Sequence, residues 1–332
     1  MLQRGVPATA KAYEFYLRAN QLGYEPGQWA IARDLYLRCL DEDPRFAPAW
    51  ARLGRIYRVL AMNQPDGADD NYDRAREAFR RALEINPELP VAHNLVTYLE
   101  VDRGQAKQAM QRLLKRAQAR AADAELYAGL VQACRYCGLF EVAIAADAEA
   151  RRIDPGIRTS VVHAHFMVGD YERALELGRD EHAGIRAMIL TMMDRQPEAL
   201  ELLRKASVGA PPPGLHIMSL AIASLEGDRT RAQRIASELF DGWMPSDPCA
   251  LYYSGRSVAH IGDVTRALAM LRRSVDGGHT IFKCLARDPY LDGLRGEPEF
   301  RRLLHAAEEG YRDARAALLE AGGDRLFNLD HV

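Results

Sequence analysis

Small residues recur at fixed spacings along the chain, and large apolar residues follow them in phase. A glycine stands five residues before an alanine at six places: Gly27/Ala32, Gly104/Ala109, Gly138/Ala143, Gly169/Ala174, Gly227/Ala232 and Gly262/Ala267. In two further copies an aspartate replaces the glycine, at Asp70/Ala75 and Asp194/Ala199. Four of the alanines are followed by a proline twelve residues later: Pro44, Pro87, Pro155 and Pro211. Successive alanines lie 25 to 43 residues apart, which predicts an internal repeat.

Each of these recurring residues suits one position in a helical hairpin. Glycine ends a first helix because it adopts left-handed backbone at little cost. Alanine lets the second helix cross the first closely, and proline ends the second helix because it lacks an N–H group. Large apolar residues four positions after the alanine fill the space between helices: Tyr36, Phe79, Leu113, Leu203 and Leu271. The pattern predicts sixteen helices in eight hairpins over residues 10–280.

The second repeat resembles the tetratricopeptide repeat (TPR) at nearly every marked position: Trp50, Leu53, Gly54, Tyr57, Ala75, Phe79 and Pro87. This resemblance implies an all-α fold, an α-α superhelix (TPR solenoid) of about eight helical hairpins with a C-terminal capping helix. Neighbouring hairpins must stack, because one hairpin cannot bury its apolar face alone.

Two stretches depart from the repeat. "LAMNQPDGADDN" at 60–71 adds residues between two helices, and its Pro, Gly and Asp predict an exposed loop. In the fifth repeat Gly178 and Glu181 replace apolar residues, which predicts a truncated helix and an irregular stretch, a candidate hinge, near 177–184. We therefore predict a TPR solenoid at 1–280 and a C-terminal cap at 281–332, with a polar capping helix from Pro298 to Ala321.

Four segments extend the resemblance to a narrower group: "KAYEFYLRANQL", "HNLVTYLEVDRG", "CRYCGLFE" and "ARDPYLDGLRGEPEFRRLL". Together they resemble the C-terminal TPR region of bacterial multidomain signalling proteins. In those proteins a Ser/Thr kinase, nucleotide cyclase or winged-helix domain, often with a TolB-like segment, precedes the repeats. The resemblance implies regulation or scaffolding, and leaves open whether the chain is a fragment of such a protein or free-standing.

Composition narrows the class of partner. The 332 residues carry 44 Lys plus Arg and 46 Asp plus Glu, a formal charge of −2, so no overall field favours nucleic acid or anionic lipid. No apolar run is long enough for a membrane span, and no signal peptide is visible. Five cysteines, sparse and odd in number, argue against a secreted disulfide framework, and we expect a cytoplasmic location.

The pair Cys134 and Cys137 is the most suggestive chemical feature. A structural zinc ion wants four ligands and no second CxxC follows, while a redox dithiol wants a helix N-terminus and Cys137 falls at a helix C-terminus. We therefore interpret both as core residues and predict no metal, no cofactor and no catalytic residue. A cysteine-dependent enzyme stays as the least favoured alternative. The run Met188, Met192 and Met193 is interpreted first as core filling.

First helices of stacked TPRs line a concave groove, so their groove-facing positions are the candidate binding site. We predict that a protein or peptide partner contacts this set: Arg55, Arg58, Asn94, Tyr98, Gln132, Arg135, His163, Tyr252 and Arg256. Arg and Tyr commonly anchor interfaces, and Arg and amide side chains bind carboxylates and backbone groups. The carboxylate clamp of chaperone-tail binders is not matched, because Ala51 and Ala128 occupy two of its positions. A solvated face without a ligand and a homodimer formed by the stack ends or the convex face remain alternatives.

Overall fold

The computed structural model describes residues 7–25, 27–64, 67–119, 122–179, 183–208, 210, 214–242 and 244–328. Throughout these residues the fold is all-α, without a strand, and the predicted fold class is confirmed. First and second helices alternate over the described part of 10–276: α1 Ala10–Leu22, α2 Trp29–Glu42, α3 Ala47–Asn63, α4 Ala68–Ile85, α5 Pro90–Asp102, α6 Ala106–Ala119, α7 Ala124–Tyr136, α8 Phe140–Ile153, α9 Val161–Val168, α10 Tyr171–Leu177, α11 Ala183–Met192, α12 Gln196–Ser207, α13 Gly214–Leu225, α14 Arg229–Gly242, α15 Pro248–His260 and α16 Val264–Asp276. A C-terminal segment follows with α17 Phe282–Leu285, a 3₁₀ helix Pro289–Leu294, α18 Pro298–Glu320 and α19 Gly323–Leu326.

The chain divides into two compact units, the N-terminal unit Met1–Glu100 and the C-terminal unit Val101–Val332. In the first, α1 packs on α2 and α3 on α4, around a core that includes Phe15, Tyr36 and Phe79. In the second, each first helix from α7 to α15 packs on the helix that follows it. The sequence-based division at residue 280 stays a prediction. In the structure, the C-terminal segment packs in one unit with the repeats that precede it.

The phased small residues occupy the positions that the repeat predicts. All six marked glycines have a φ between 72° and 88°, and Asp194 replaces glycine with a φ of 59°. All eight marked alanines are fully buried. The second repeat differs, because Asp70 lies inside α4 and Gly67, with a φ of 79°, takes the left-handed position instead.

The insertion at 60–71 is mostly helical, which corrects the predicted exposed loop. Leu60 and Ala61 are buried and extend α3 to Asn63, whereas α4 already begins at Ala68. Two acidic residues in the first turn of α4, Asp69 and Asp70, suit the positive end of the helix dipole. Only residues 64 and 67 of this stretch, among those described, lie between the helices.

The fifth repeat contains a short second helix, since α10 has 7 residues. Gly178 follows it as the C-cap, and a Cβ there would approach the Ala174 carbonyl oxygen to 2.8 Å. Glu181 and the rest of 180–182 lie outside the described residues, so the hinge stays a prediction.

The C-terminal helix α18 packs inside the C-terminal unit, where the sequence predicted a polar cap on an open stack. It contacts α16, α17 and α6, and buries Phe300, Ala307 and Leu318. Lys107 of α6 forms an ion pair with Asp313 at 2.6 Å. The charged residues of α18 therefore lie on one side of the helix only, and its apolar side completes the core. Within the described part of the chain no helix has the length and apolarity needed to cross a membrane.

Candidate functional site

Equivalent arginines follow a glycine in two first helices, one in each unit. In α3, a Cβ on Gly54 would lie 2.8 Å from the ring of Phe79 in α4. In α15, a Cβ on Gly255 would lie 3.0 Å from the Leu271 side chain in α16. These glycines let the second helix approach closely, and the next residue of each, Arg55 or Arg256, occupies the same repeat position.

Arg55 in the N-terminal unit stacks on a tyrosine of the preceding repeat. Its guanidinium carbon lies 3.9 Å from the ring centroid of Tyr24, and its Nη1 donates to the Gly23 carbonyl at 2.7 Å. Arg52 Nη1 donates to the Tyr24 hydroxyl at 2.8 Å. The exposed Tyr24 thus contacts two neighbouring cations, both of which are half-buried.

No carboxylate among the described residues hydrogen-bonds or ion-pairs with Arg55. Burial lowers the pKa of this guanidinium, and the positive charge of Arg52 lowers it further, although nearby tyrosines oppose both effects. The fold therefore leaves Arg55 positively charged but without local neutralisation by an acid among these residues. We call Tyr24, Arg52 and Arg55 the Arg55 surface.

The other predicted residues of the N-terminal unit lie deeper. Arg58 and Asn94 are buried, and Tyr98 is half-buried. The Arg58 guanidinium carbon lies 5.3 Å from the Tyr98 ring centroid, which joins α3 to α5. Of the four residues predicted here, Arg55 and Tyr98 offer the most accessible surface.

The predicted residues of the C-terminal unit meet in its interior. Arg135 of α7 is only 4% exposed. Its guanidinium donates to Gln132 Oε1 at 2.9 Å, Ser160 Oγ at 3.3 Å and Cys249 Sγ at 3.0 Å. The expectation that Arg135 and Gln132 face an open groove is therefore corrected: both are enclosed, with α7 and α15 brought together by the contact to Cys249.

Arg256 is enclosed in the same unit and is neutralised there. Its Nε and Nη2 bind the two carboxylate oxygens of Asp288 at 2.7 and 3.2 Å, and the Tyr252 hydroxyl donates to Asp288 at 2.7 Å. Tyr290 stacks over the guanidinium at 4.0 Å. Arg256 and Tyr252 are 2% and 1% exposed, so both are interior residues and not open groove residues.

The charged state of this pair follows from its geometry. Burial opposes ionisation of Asp288, but Arg256 outweighs it and holds the pKa of the carboxyl below its usual value. Burial likewise opposes the charge on Arg256, and Asp288 outweighs it and raises the pKa of the guanidinium. The lowered pKa of Asp288 and the raised pKa of Arg256 both indicate an ionised pair. Its bidentate geometry is the strongest way in which a guanidinium and a carboxylate pair.

The C-terminal segment reaches this interior by crossing the end of α7. Thr280 N donates to the Tyr136 carbonyl at 2.9 Å, and a Cβ on Gly138 would lie 2.7 Å from the Thr280 carbonyl oxygen. The left-handed Gly138 therefore has a second role that the repeat pattern did not predict. His163, half-buried, contacts the Tyr253 hydroxyl through Nδ1 at 2.8 Å.

The cysteine pair belongs to the core of the C-terminal unit. Cys134 and Cys137 are fully buried, as the packing interpretation requires. Burial raises the pKa of Cys137 to about 12 and that of Cys134 well above its ordinary value, so both are protonated thiols at neutral pH. Among the described residues no cluster of three or more His, Cys, Asp or Glu side chains has the arrangement of a metal site.

No protein-family model and no curated protein matches this sequence. Solved structures that are similar to it include the following three. YrrB, titled a TPR protein with an unusual peptide-binding site, is 18% identical over 67% of this chain and 90% of that chain, with a TM-score of 0.30. The P58(IPK) TPR domain is 14% identical over 92% and 99%, with a TM-score of 0.25. A Naa15/Naa10 structure bound to HypK-THB is 16% identical over 94% of this chain and 59% of that chain, with a TM-score of 0.25.

Proposed function

We propose that this chain is a non-enzymatic TPR-type module that binds a peptide segment of a protein partner on the Arg55 surface. The observation that carries the proposal is the contrast between two equivalent arginines. Arg256 is neutralised by the chain's own Asp288, whereas Arg55 has no carboxylate partner among the described residues. The partner segment therefore supplies a carboxylate to Arg55.

The chemistry of the Arg55 surface favours such a ligand. Tyr24 covers one face of the guanidinium, as Tyr290 covers that of Arg256 at nearly the same distance. Stacking on Tyr24 and the bond from Nη1 to Gly23 leave Nε and Nη2 for a carboxylate, which arginine binds in a bidentate manner. The nearby Arg52 adds a second positive charge, and Tyr98 offers an aromatic contact for an adjoining side chain.

The wider role in this proposal is regulation or scaffolding in bacterial signalling, in the cytoplasm. It is supported by the sequence segments that resemble the TPR regions of multidomain signalling proteins. The protonated, buried state of Cys134 and Cys137 supports a non-enzymatic role. Self-association remains the alternative, and light scattering of the peptide-free chain over a range of concentrations distinguishes it.

The test uses fluorescent peptides that differ only in charge. A library of short peptides containing aspartate or glutamate, each paired with its asparagine or glutamine counterpart, is screened by fluorescence anisotropy against the full chain. We expect the acidic members to bind, and Arg55→Ala to weaken them about tenfold, the effect of losing one charge-assisted hydrogen bond.

Arg38 provides a matched control, because its guanidinium carbon lies 4.4 Å from the Phe15 ring but on the second helix α2. Arg38→Ala should leave the affinity unchanged. If no peptide of the library binds, the proposed function is wrong. If charged and amide peptides bind equally, peptide binding stands and the carboxylate contact with Arg55 is rejected.

A further inference from the structure

A pocket lies in the C-terminal unit, between the ends of α9 and α11 and the C-terminal segment. The pocket is lined by aromatic and sulfur-bearing side chains, among them Phe166, Tyr171, Met192 and Cys284. Phe166 and Tyr171 lie with ring centroids 5.8 Å apart, and Tyr171 and Met192 are half-buried. The proposed peptide site on Arg55 uses none of these residues, so the two sites can be tested separately.

The size of the pocket restricts what it can hold. Its volume is about 160 Å³, well below the ~300–1,000 Å³ of ordinary small-molecule sites. An apolar cavity of about 150 Å³ is known to accept one benzene ring. The pocket therefore has room for a single large side chain, and an aromatic ring fits both its volume and its lining.

The polar groups at the base of the pocket are already paired with one another. Arg256 and Asp288 form their ion pair there, and Tyr252 donates to Asp288. Arg256 Nη2 also contacts the sulfur of Met192 at 3.5 Å. An apolar side chain can therefore enter the pocket without breaking the hydrogen bonds among these polar groups, and it needs no polar group of its own to replace them.

The rim of the pocket carries one further charge. Arg287 is exposed at the rim, and its guanidinium has no carboxylate contact among the residues that the structure describes. The lining thus contains two cations, Arg256 and Arg287, against the single anion Asp288. An acidic group just outside the aromatic ring would complement this excess positive charge.

We propose that the aromatic pocket receives the phenylalanine or tyrosine side chain of a partner peptide in which an acidic residue stands beside the aromatic one. The ring enters between Tyr171 and Met192, and the neighbouring carboxylate pairs with Arg287 at the rim. The occupant is a protein segment and not a free aromatic acid, because one exposed ion pair and one small pocket give little affinity without further contacts along a chain.

The experiment follows the methionine methyl groups by NMR. The full chain is labelled at methionine methyl carbons, and Met192→Leu identifies the Met192 signal. The probe is the peptide acetyl-Gly-Ser-Glu-Phe-Ser-Gly-amide, with versions in which glutamine replaces Glu or alanine replaces Phe. We expect the Glu-Phe peptide to shift the Met192 signal through its ring, the glutamine version to bind several-fold more weakly, and the alanine version to leave the signal in place.

Two surface substitutions have matched controls in the same unit. Val168→Trp, at a rim position that is 41% exposed, should block entry, whereas Val208→Trp, at a position 84% exposed and outside the lining, should not. Arg287→Ala should reproduce the weakening seen with the glutamine peptide. Arg302→Ala, at an exposed position of α18 outside the lining, should leave binding unchanged.

Three results would overturn the proposal. One is a Met192 signal that stays in place with the Glu-Phe peptide at about 1 mM, the weak end of specific binding. Another is an unchanged affinity in Val168→Trp. The third is a Met192 shift produced by 3-phenylpropionate but not by the peptide, which would assign the pocket to a small aromatic acid. Since none of these variants alters Arg55, each result leaves the Arg55 test unaffected.

Discussion

Arg55 and Arg256 occupy the same position of the repeat, yet one is half-buried and the other is enclosed. Both follow a packed glycine, and both stack on a tyrosine ring at about 4 Å. The difference lies in the origin of that ring and of the acid. Tyr24 comes from the preceding repeat, and the adjacent Glu25 forms no ion pair with Arg55, whereas Tyr290 comes from the C-terminal segment, two residues after the Asp288 that pairs with Arg256. A repeat position thus determines where an arginine projects, and segments outside the repeat determine what neutralises it.

The C-terminal unit encloses its polar first-helix residues more generally. Arg135 is held by an amide, a hydroxyl and a thiol, and burial raises the pKa of that Cys249 thiol to about 11. Such a cluster is stable only while its donors and acceptors are satisfied. In this unit the first-helix side chains hold the protein together, whereas in the N-terminal unit Arg52 and Arg55 stay half-buried.

The largest expected effect is the loss of stability when Arg256, the enclosed arginine, is replaced. Arg256→Ala leaves the Asp288 carboxylate buried without its cation, and breaking a buried pair from one side costs about 3–5 kcal/mol of unfolding free energy. Urea unfolding of the full chain, followed by circular dichroism, measures this loss.

The double variant Arg256→Ala, Asp288→Asn serves as the control, because it removes both charges together. It should recover a large part of the lost stability, since the cost comes mainly from the isolated charge. A double variant as unstable as Arg256→Ala alone would mean that packing of the arginine side chain, and not the ion pair, determines the stability.

The next effect is a dependence of stability on pH, which comes from the buried His279 beside the Arg135 cluster. Burial, with Arg135 and His163 adding to it, lowers the pKa of His279 well below its usual value. Ser274 contacts its Nδ1, and the Tyr136 and Tyr252 rings pack on it. The unfolded chain, with a histidine pKa of about 6.5, therefore binds a proton more readily than the folded chain does.

Stability should consequently fall by about 1.4 kcal/mol for each pH unit below 6.5, until the folded pKa is reached. Urea unfolding at pH 7.5 and about 5.5 measures this loss, and His279→Gln removes the contribution of this one residue. The wild type should lose more stability than the variant over that interval. Equal losses would place the pH dependence on other groups.

A smaller effect compares the packed glycines themselves. A methyl group on Gly54 would lie 2.8 to 3.0 Å from three atoms of the rigid Phe79 ring, whereas on Gly255 it would lie slightly farther, 3.0 to 3.3 Å, from Leu271 Cγ and Cδ2 and Met270 Cβ. Overpacking costs about 1–3 kcal/mol, and alanine regains about 1 kcal/mol in helix propensity. We expect Gly54→Ala to lower the unfolding free energy by about 1 kcal/mol and Gly255→Ala by less. The reverse order in urea unfolding would contradict this packing argument.

The sequence predicted the parts of the fold that recur. Glycines such as Gly138 and Gly262 mark helix ends because the left-handed turn needs them, and the eight alanines identify the helix crossings. The insertion was misread for a physical reason. Its Pro and Gly suggested a loop, but Leu60 and Ala61 had apolar contacts available and extended the helix.

The candidate site was harder to predict because its decisive contacts lie far apart in sequence. Arg256 meets Asp288 across 32 residues, and Arg135 meets Cys249 across 114. Periodicity places the arginines on first helices, but it carries no information on a segment that lacks the repeat. The segment "ARDPYLDG" contributes to the sequence analysis only through its resemblance, although its acid and its aromatic residue, two positions apart, match the groups that Arg256 binds.

The smallest expected effect is on the stability of the Arg55 variant, and it completes the comparison with Arg256. Arg55→Ala removes the stacking on Tyr24 and the hydrogen bond to the Gly23 carbonyl, each worth about 1 kcal/mol. Burial of the guanidinium without an acid offsets part of this gain, so the net change should stay within about 1 kcal/mol. Urea unfolding of Arg55→Ala beside Arg256→Ala makes the measurement. Arg55→Lys keeps the charge but loses the planar fork, so it should keep stability and still bind acidic peptides more weakly than the wild type. A stability loss at Arg55 as large as that at Arg256 would mean that Arg55 is a structural residue of the N-terminal unit and not a contact for a partner.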